Sequence, residues 1–176
     1  VDYYFRSKEK LYVEAWHRAF HRSIEAHPPD GGVPADAPPA ERLRGRIRSI
    51  VARIVDPDSH EFDIVHHEHA QPTGLLQAIL REAVEPIRRD MAAVVRELLG
   101  PGVPDRQVEL CGMSIIAQCF HMLMHKRLRR ADRPGPPVPP GLADLAAEDI
   151  VEHVTRFSLA GIAEVRRRSE GGEDGP

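Results

Sequence analysis

The sequence has few aromatic residues, 5% of the 176, and only two cysteines, Cys111 and Cys119. The two cysteines fall in a segment with a strongly helical pattern, at a spacing that places them too far apart along the helix axis for a disulfide. We therefore expect both thiols to be reduced and to pack as small apolar groups. This use of cysteine favours a cytoplasmic protein.

The sequence also lacks the segments and motifs that mark several protein classes. No run of about eighteen apolar residues could span a membrane, and we see no basic segment followed by an apolar run, as in a signal peptide. There is no glycine-rich phosphate loop and no nucleophile elbow, and Glu82 and Glu85 are interpreted as solvated helix acids. We predict neither enzyme activity nor a cofactor. The net charge of −3 argues against a chain coated for nucleic-acid binding.

Proline and glycine divide the chain clearly. The stretches HPPDGGVPADAPPA (27–40), GPGVP (100–104) and RPGPPVPPG (133–141) predict loops. Apolar residues between them recur at three- and four-residue steps, which is typical of amphipathic helices, and no convincing strand pattern occurs. Pro86 lies inside one long helical pattern and is expected to divide it. Helices are predicted over about 7–27, 40–55, 60–69, 73–84, 86–99, 104–131 and 142–168.

The predicted fold class is therefore all-α, a helical bundle of about seven helices with a disordered tail over 171–176. In the second helix, the arginines are predicted to spread over the polar side, opposite an apolar stripe; they are Arg42, Arg44, Arg46, Arg48 and Arg53.

The last two predicted helices have wider apolar faces than a small bundle needs. Such faces often pair with a second copy across a two-fold axis, giving a four-helix interface, so we predict a homodimer. The alternative is that both faces pack into the protein's own core. The predicted interface residues are Gly112, Ile116, Leu123, Val154, Phe157, Ser158, Gly161 and Val165.

The ten histidines of the chain raise the question of a metal site. His66 and His69 are spaced by three residues and His121 and His125 by four, and such helical pairs can chelate zinc or nickel. No cysteine or carboxylate accompanies them at a diagnostic spacing, and the HExxH motif is absent. We predict no metal site, and a metal-responsive protein stays an alternative.

The chain opens with VDYYFRSKEKLY (1–12), without an initiator methionine. The stretch YYFRSKEKLY (3–12) resembles the end of the DNA-binding domain of the TetR family of bacterial transcription regulators. That family has here an aromatic pair, Phe, a variable residue, Ser or Thr, Lys, Glu and then Leu. The segments HHEHAQPTGLLQAILREAVEPIRRDM (66–91) and SIIAQCFHMLMHKR (114–127) further resemble the CecR-type C-terminal domain within that family.

The resemblance implies a domain organisation. Residues 1–7 would be the remnant of a helix-turn-helix domain, 8–27 a connecting helix, and 28–170 a ligand-binding and dimerisation domain. Most of the DNA-reading head would then be missing from this chain. Contacts to double-stranded DNA are expected at its phosphates from Tyr3, Tyr4, Ser7 and Lys8. Asp2 departs from the family's usual Tyr or Asn.

The resemblance also implies the function, a DNA-binding transcription regulator. We predict a repressor that leaves its operator when a small-molecule effector binds inside the helical body. The pocket is expected between the connecting helix and the middle helices, lined by Trp16, Phe20, Phe62, His66, Met91, Cys119, Phe120 and Met122. The rival hypothesis is an α-helical dimerisation or adaptor module without DNA binding, and residues encoded before Val1 would distinguish the two.

Overall fold

Six α-helices make up the described part of the chain in a computed structural model. The structure describes residues 2–130, 141 and 145–171. The side chains of these residues are described too, except those of 2–7, 69, 122, 125, 126 and 128–130. The helices are α1 (Asp2–Ala26), α2 (Pro39–Val55), α3 (Glu61–Ala70), α4 (Gln77–Leu99), α5 (Asp105–Arg130) and α6 (Ala147–Glu170). No strand occurs in these residues, and the all-α prediction is confirmed.

The helix boundaries follow prolines and glycines. Pro39 is the first residue of α2, where the N–H that proline lacks would have no intrahelical partner anyway. α2 ends before Pro57, because the residue that precedes a proline disfavours the helical conformation. Gly100 follows α4 with a φ of 89°, which glycine adopts without a steric penalty. The loops predicted over 27–40 and 100–104 are confirmed, except that α2 already begins at Pro39.

The main core is built around α2, which packs against α4, α5 and α6. Leu43, Ile47 and Ile54 of α2 are completely buried there. A second, smaller cluster joins α1 to α3 and to the start of α4 through the buried side chains of Trp16 and Phe20. α1 is therefore joined to the bundle through its own apolar cluster.

The loop after α1 is pressed against α2 and fixes the end of α1. Gly31 has a φ of +65°, and a Cβ atom on it would lie 2.2 Å from the carbonyl oxygen of Gly45. The Ser49 hydroxyl donates a hydrogen bond to the His27 carbonyl at 3.2 Å, and the His27 ring pairs with the Asp56 carboxylate at 2.8 Å. These contacts hold the C-terminal end of α1 against the middle and the C-terminal end of α2.

The predicted break at Pro86 is wrong. α4 is one helix with Pro86 inside it, so the described chain has six helices where seven were expected. Pro86 is exposed, so water can satisfy the Glu82 carbonyl that loses its helical donor. Packing of the buried face of α4, at Met91 and Val94, compensates for the missing bond.

Two further helix boundaries differ from the predictions. α1 begins at Asp2, before the predicted start near residue 7, so Ser7 lies within the helix. α6 begins at Ala147, after the predicted start at 142. There, the Asp149 carboxylate accepts a hydrogen bond from the Ala146 amide at 3.0 Å and caps the helix. The proline-rich loop at 133–141 and the tail over 171–176 lie almost entirely outside the described residues.

No helix in the described part of the chain has the combination of length and apolar character that crossing a bilayer requires.

Candidate ligand site

A cavity of about 240 Å³ lies where the two apolar clusters meet. Trp16 and Phe20 of α1 form one side of it. Val84 of α4 is 41% exposed and lies at its rim. The other lining residues come from α2, α3, α4 and α5; they are Ile50, Arg53, Glu61, Phe62, Val65, Leu80, Ile87, Ile116 and Phe120.

Aromatic rings form two pairs in the cavity wall. Trp16 and Phe20 are stacked, with ring centroids 4.9 Å apart and planes 21° from parallel. Phe62 of α3 meets Phe120 of α5 edge to face, at 5.2 Å and 72°. Both geometries are favourable for aromatic pairs. The wall is therefore apolar and suited to a molecule with flat rings.

The polar end of the cavity is a buried ion pair between α2 and α3. The Arg53 Nε donates to Glu61 Oε1 at 2.9 Å, and Nη2 donates to Oε2 at 2.8 Å. The hydroxyl of Ser23 on α1 donates to the same Oε1 at 2.8 Å, and it lies 3.1 Å from the Ser59 hydroxyl. The guanidinium group also lies over the Phe20 ring, 5.5 Å from its centroid. The two opposite charges satisfy each other, so this end carries no net charge.

One buried polar atom of Trp16 lacks a partner. The indole Nε1 of Trp16 is buried and has no hydrogen-bond partner within the described part of the protein. Trp16 as a whole is 1% exposed. A buried N–H group without an acceptor is uncommon in folded proteins and calls for a specific reason.

A second polar network links α1 to the turn between α3 and α4. Glu68 accepts hydrogen bonds from the Tyr12 hydroxyl at 3.3 Å, the Thr73 amide at 3.0 Å and the Gly74 amide at 2.9 Å. Burial by itself would raise the pKa of Glu68, but the bonds from Thr73, Gly74 and Tyr12 together lower it below its ordinary value. Burial and the neighbouring Glu68 raise the pKa of Tyr12. This carboxylate holds α1 at a point on the N-terminal side of Trp16.

The structure brings four of the eight predicted pocket residues together around the cavity, namely Trp16, Phe20, Phe62 and Phe120. Three of the others do not line it. His66 is exposed, and Val65 takes its place in the wall. Met91 and Cys119 are buried in the main core, and the side chain of Met122 lies outside the described residues.

The most informative lining residues, Arg53 and Glu61, were not predicted. The expectation that Arg53 lies on the polar side of α2 is wrong, because it is 6% exposed. A signal existed in the sequence: Arg53 follows Ile50 by three positions, which places it beside the apolar stripe. The acceptor, Glu61, starts the next helix, and only the packing of α3 on α2 brings the two together.

The predicted interface residues differ in how far they are exposed. Leu123, Val154 and Ser158 are buried within the single chain, so they offer little surface to a second copy. Ile116 lines the cavity. Phe157 is 62% exposed and Gly161 is exposed on the same helix. On α5, Leu110 and Met113 are exposed apolar side chains, at 50% and 59%. Gly112 is buried on the same helix, and Val165 of α6 is half-buried.

The predicted DNA contacts lie in the first turns of α1. Tyr3, Tyr4 and Ser7 are in the helix, but their side chains are outside the described ones. Lys8 is exposed.

No group of three or more His, Cys, Asp or Glu side chains is placed to hold a metal ion among those that the structure describes. The side chains of His69 and His125 lie outside that set. Both cysteines are free thiols, and burial raises the pKa of Cys119 to about 12.

A comparison with protein families identifies the body of the chain. The C-terminal domain of the HTH-type transcriptional dual regulator CecR matches residues 39–162, more than half of the chain. The match begins with α2 and ends in α6, so it covers every helix that lines the cavity except α1. A comparison with curated proteins gave no match. The chain therefore belongs to the CecR C-terminal domain family and is a TetR-family transcription regulator.

Proposed function

We propose that this chain is the effector-binding body of a homodimeric, DNA-binding repressor, and that a small molecule in the cavity releases it from its operator. The observation that carries the proposal is that the cavity wall is shared. Trp16 and Phe20 belong to α1, and the rest of the wall belongs to helices of the family-matched body. A bound molecule therefore contacts both sides and favours one position of α1 over another.

The attachment of α1 supports a lever movement. Its C-terminal end is fixed to α2 by the His27–Asp56 pair and by Ser49. From that end, the helix rise places Trp16 at about 15 Å and the first turn at about 36 Å. A displacement at Trp16 is thus enlarged about twofold where Tyr3, Tyr4, Ser7 and Lys8 would meet DNA phosphates.

Such a movement would change the spacing of two DNA-binding heads in a dimer. Helix-turn-helix dimers bind half-sites about one helical turn of DNA apart, so a change in spacing of several ångströms weakens operator binding. One contact that opposes the movement is the bond from Tyr12 to Glu68, since it joins α1 to the α3–α4 turn.

The test uses the protein expressed from its complete gene and a fluorescent duplex from the region before that gene. Fluorescence anisotropy should detect binding that is tighter than to a scrambled duplex and that weakens steeply with salt. The absence of duplex binding at low ionic strength would overturn the proposal and favour the adaptor hypothesis.

The effector role is tested on the same complex. Candidate effectors are first selected as compounds that raise the thermal unfolding midpoint of the protein, as ligands of the native state do. They are then added to the protein–duplex complex. At least one should lower the affinity for the duplex about tenfold or more. Ile87 lines the cavity, and Ile87→Trp places a larger side chain there that should exclude the effector and abolish this response. Ala93→Trp, at an exposed position of the same helix, should retain it. An equal response in both variants would contradict the cavity as the effector site.

A further inference from the structure

We infer that the hydrogen bond between Tyr12 and Glu68 is a latch that holds α1 in its DNA-binding position, and that a molecule in the cavity opens this latch while α1 stays fixed at Ser23. The inference rests on the proposed function, because it names the contacts through which the cavity regulates DNA binding. Two properties of these contacts lead to it: their positions relative to the cavity and the unequal cost of breaking them.

The latch lies one helical turn from the cavity wall on both helices that it joins. On α1, Tyr12 precedes the wall residue Trp16 by four positions. On α3, Glu68 follows the wall residue Val65 by three positions. Residues at these spacings lie on the same face of a helix. A molecule that widens the gap between Trp16 and Val65 therefore also widens the gap at the latch, where hydroxyl and carboxylate oxygens are 3.3 Å apart.

Opening the latch leaves no buried charge without partners. Glu68 is 8% exposed, and its carboxylate also accepts hydrogen bonds from the Thr73 amide at 3.0 Å, the Thr73 hydroxyl at 2.8 Å and the Gly74 amide at 2.9 Å. These donors belong to the α3–α4 turn and stay with the carboxylate when α1 moves. Tyr12 is half-buried, so water can replace the carboxylate at its hydroxyl. The latch therefore costs no more than the exchange of one hydrogen bond.

The contact at Ser23, which follows the cavity residues of α1, is more costly to break. Its hydroxyl donates to Glu61 at 2.8 Å and lies 3.1 Å from the Ser59 hydroxyl. It also accepts a hydrogen bond from Arg53 at 3.3 Å. Ser23 and Ser59 are both 3% exposed, so separating them would leave buried polar groups unsatisfied. α1 therefore keeps its place at Ser23 when a molecule in the cavity opens the latch.

The latch sets the balance between two positions of α1. A repressor binds its operator until the effector arrives, so a contact that opposes the effector favours the DNA-binding position. Removing this contact should strengthen binding in the cavity and weaken binding to the duplex, because both follow one equilibrium. A contact that only stabilised the fold would not strengthen binding in the cavity when it is removed.

The test compares Tyr12→Phe with the wild type, both expressed from the complete gene. The variant removes the hydroxyl and keeps the ring, which packs against the cluster of Trp16 and Phe20. The probe for the cavity is 2-acetylnaphthalene, an uncharged two-ring molecule suited to an aromatic wall and a volume of about 240 Å³. Calorimetry gives its dissociation constant, and fluorescence anisotropy gives the affinity for the duplex.

Tyr12→Phe should bind 2-acetylnaphthalene about threefold or more tightly than the wild type does. It should leave the duplex at a correspondingly lower concentration of the probe. Without the probe, its affinity for the duplex should fall by at most the same factor. No gain in affinity for the probe, or tighter binding to the duplex, would overturn the inference.

Thr73→Val is the control for the latch, because it removes a hydrogen bond to the same carboxylate but none from α1. It should lower stability and leave the affinity for 2-acetylnaphthalene unchanged. A gain equal to that of Tyr12→Phe would show that the surroundings of Glu68, rather than the latch, set the affinity.

Ser23→Ala tests the fixed point. The probe should still bind to this variant, but saturation should weaken duplex binding by a factor about threefold or more smaller than in the wild type. An unchanged response would overturn the role of Ser23. Failure of the proposed function has a different signature: Tyr12→Phe gains affinity for the probe as expected, while saturation leaves the affinity of the wild type for the duplex unchanged.

Discussion

Arg53 and Glu61 form a bidentate ion pair in the protein interior, with hydrogen bonds of 2.9 Å and 2.8 Å. The pair joins α2 to α3, and Ser23 adds a bond from α1 to the same carboxylate. Three helices thus meet at one set of charges, and those charges also form the polar end of the cavity. Stability and ligand choice therefore depend on the same two side chains.

Breaking this pair should be costly. Glu61→Gln leaves the Arg53 charge buried with only a neutral partner, and we expect the free energy of unfolding to fall by about 3–5 kcal/mol. Urea denaturation followed by circular dichroism measures the loss. The matched control is Glu170→Gln, which removes the exposed pair with Arg166 and should change stability by about 1 kcal/mol or less. Similar losses in both variants would show that the buried pair contributes no more than a surface pair.

The same variant should change which ligands bind. With Glu61 neutralised, Arg53 becomes a buried guanidinium without a counter-charge, and a ligand carboxylate can supply one. We expect Glu61→Gln to bind 2-naphthoate at least about tenfold more tightly than the wild-type protein does, in calorimetry at a temperature where the variant is folded. Unchanged affinity would mean that the pair does not control ligand charge.

The sequence predicts well what depends on local spacing and poorly what depends on packing. The bounds of α2 and α3 follow from apolar periodicity and from Pro39 and Pro57, all of which are local signals. Pro86 does not divide α4, because its cost is offset by contacts with other helices that the local pattern does not show. The local pattern places Arg53 on the polar side of α2, because the partner that allows it to be buried, Glu61, lies on another helix.

Within the cavity wall, too, the sequence does not decide between neighbouring residues. Val65 and His66 are both compatible with the inner face of a short helix beginning near residue 61, and only the docking of α3 selects Val65. Trp16, Phe20, Phe62 and Phe120 could be named from sequence because large aromatic residues rarely lie away from a core or a site.

The Glu68 network predicts a dependence of stability on pH. The pKa of Glu68 is lower in the folded protein than its ordinary 4.5, so its contribution is complete above that pH and is lost as the pH falls through the folded-state pKa. At neutral pH we expect Glu68→Gln to be less stable than the wild type by about 2 kcal/mol. The difference should shrink steadily below about pH 4.5.

Urea denaturation of both proteins between about pH 3 and 7 measures this difference. Thr73→Val removes the hydroxyl that donates to Glu68 and should lose part of the same pH-dependent stability. A gap between wild type and Glu68→Gln that stays constant over the range would contradict the role of the carboxylate charge.

The exposed apolar side chains of α5 and α6 predict where two copies meet. Phe157 is 62% exposed, and a glutamate at this position would place a charge in the proposed interface. Phe157→Glu should raise the dimer dissociation constant about thirtyfold or more, as expected for an aromatic residue near the centre of an interface. Sedimentation equilibrium measures the constant. Leu11→Glu, at a 69% exposed residue of α1, should leave it unchanged; equal effects of the two variants would place the interface elsewhere.

Lys8 should contribute to DNA affinity without contributing to sequence preference. It is exposed in the first turns of α1, and phosphate contacts fix position on the duplex without reading bases. In the protein expressed from its complete gene, Lys8→Ala should weaken binding to operator and scrambled duplex by the same factor. It should also reduce the slope of log affinity against log salt by about 1 for each phosphate that Lys8 neutralises in the wild-type complex. Lys10→Ala is the matched control, because residues two positions apart point to different sides of a helix. If Lys10→Ala had the same effect as Lys8→Ala, general charge rather than a phosphate contact would explain the weaker binding, since only a contact depends on the side of α1 from which the charge projects.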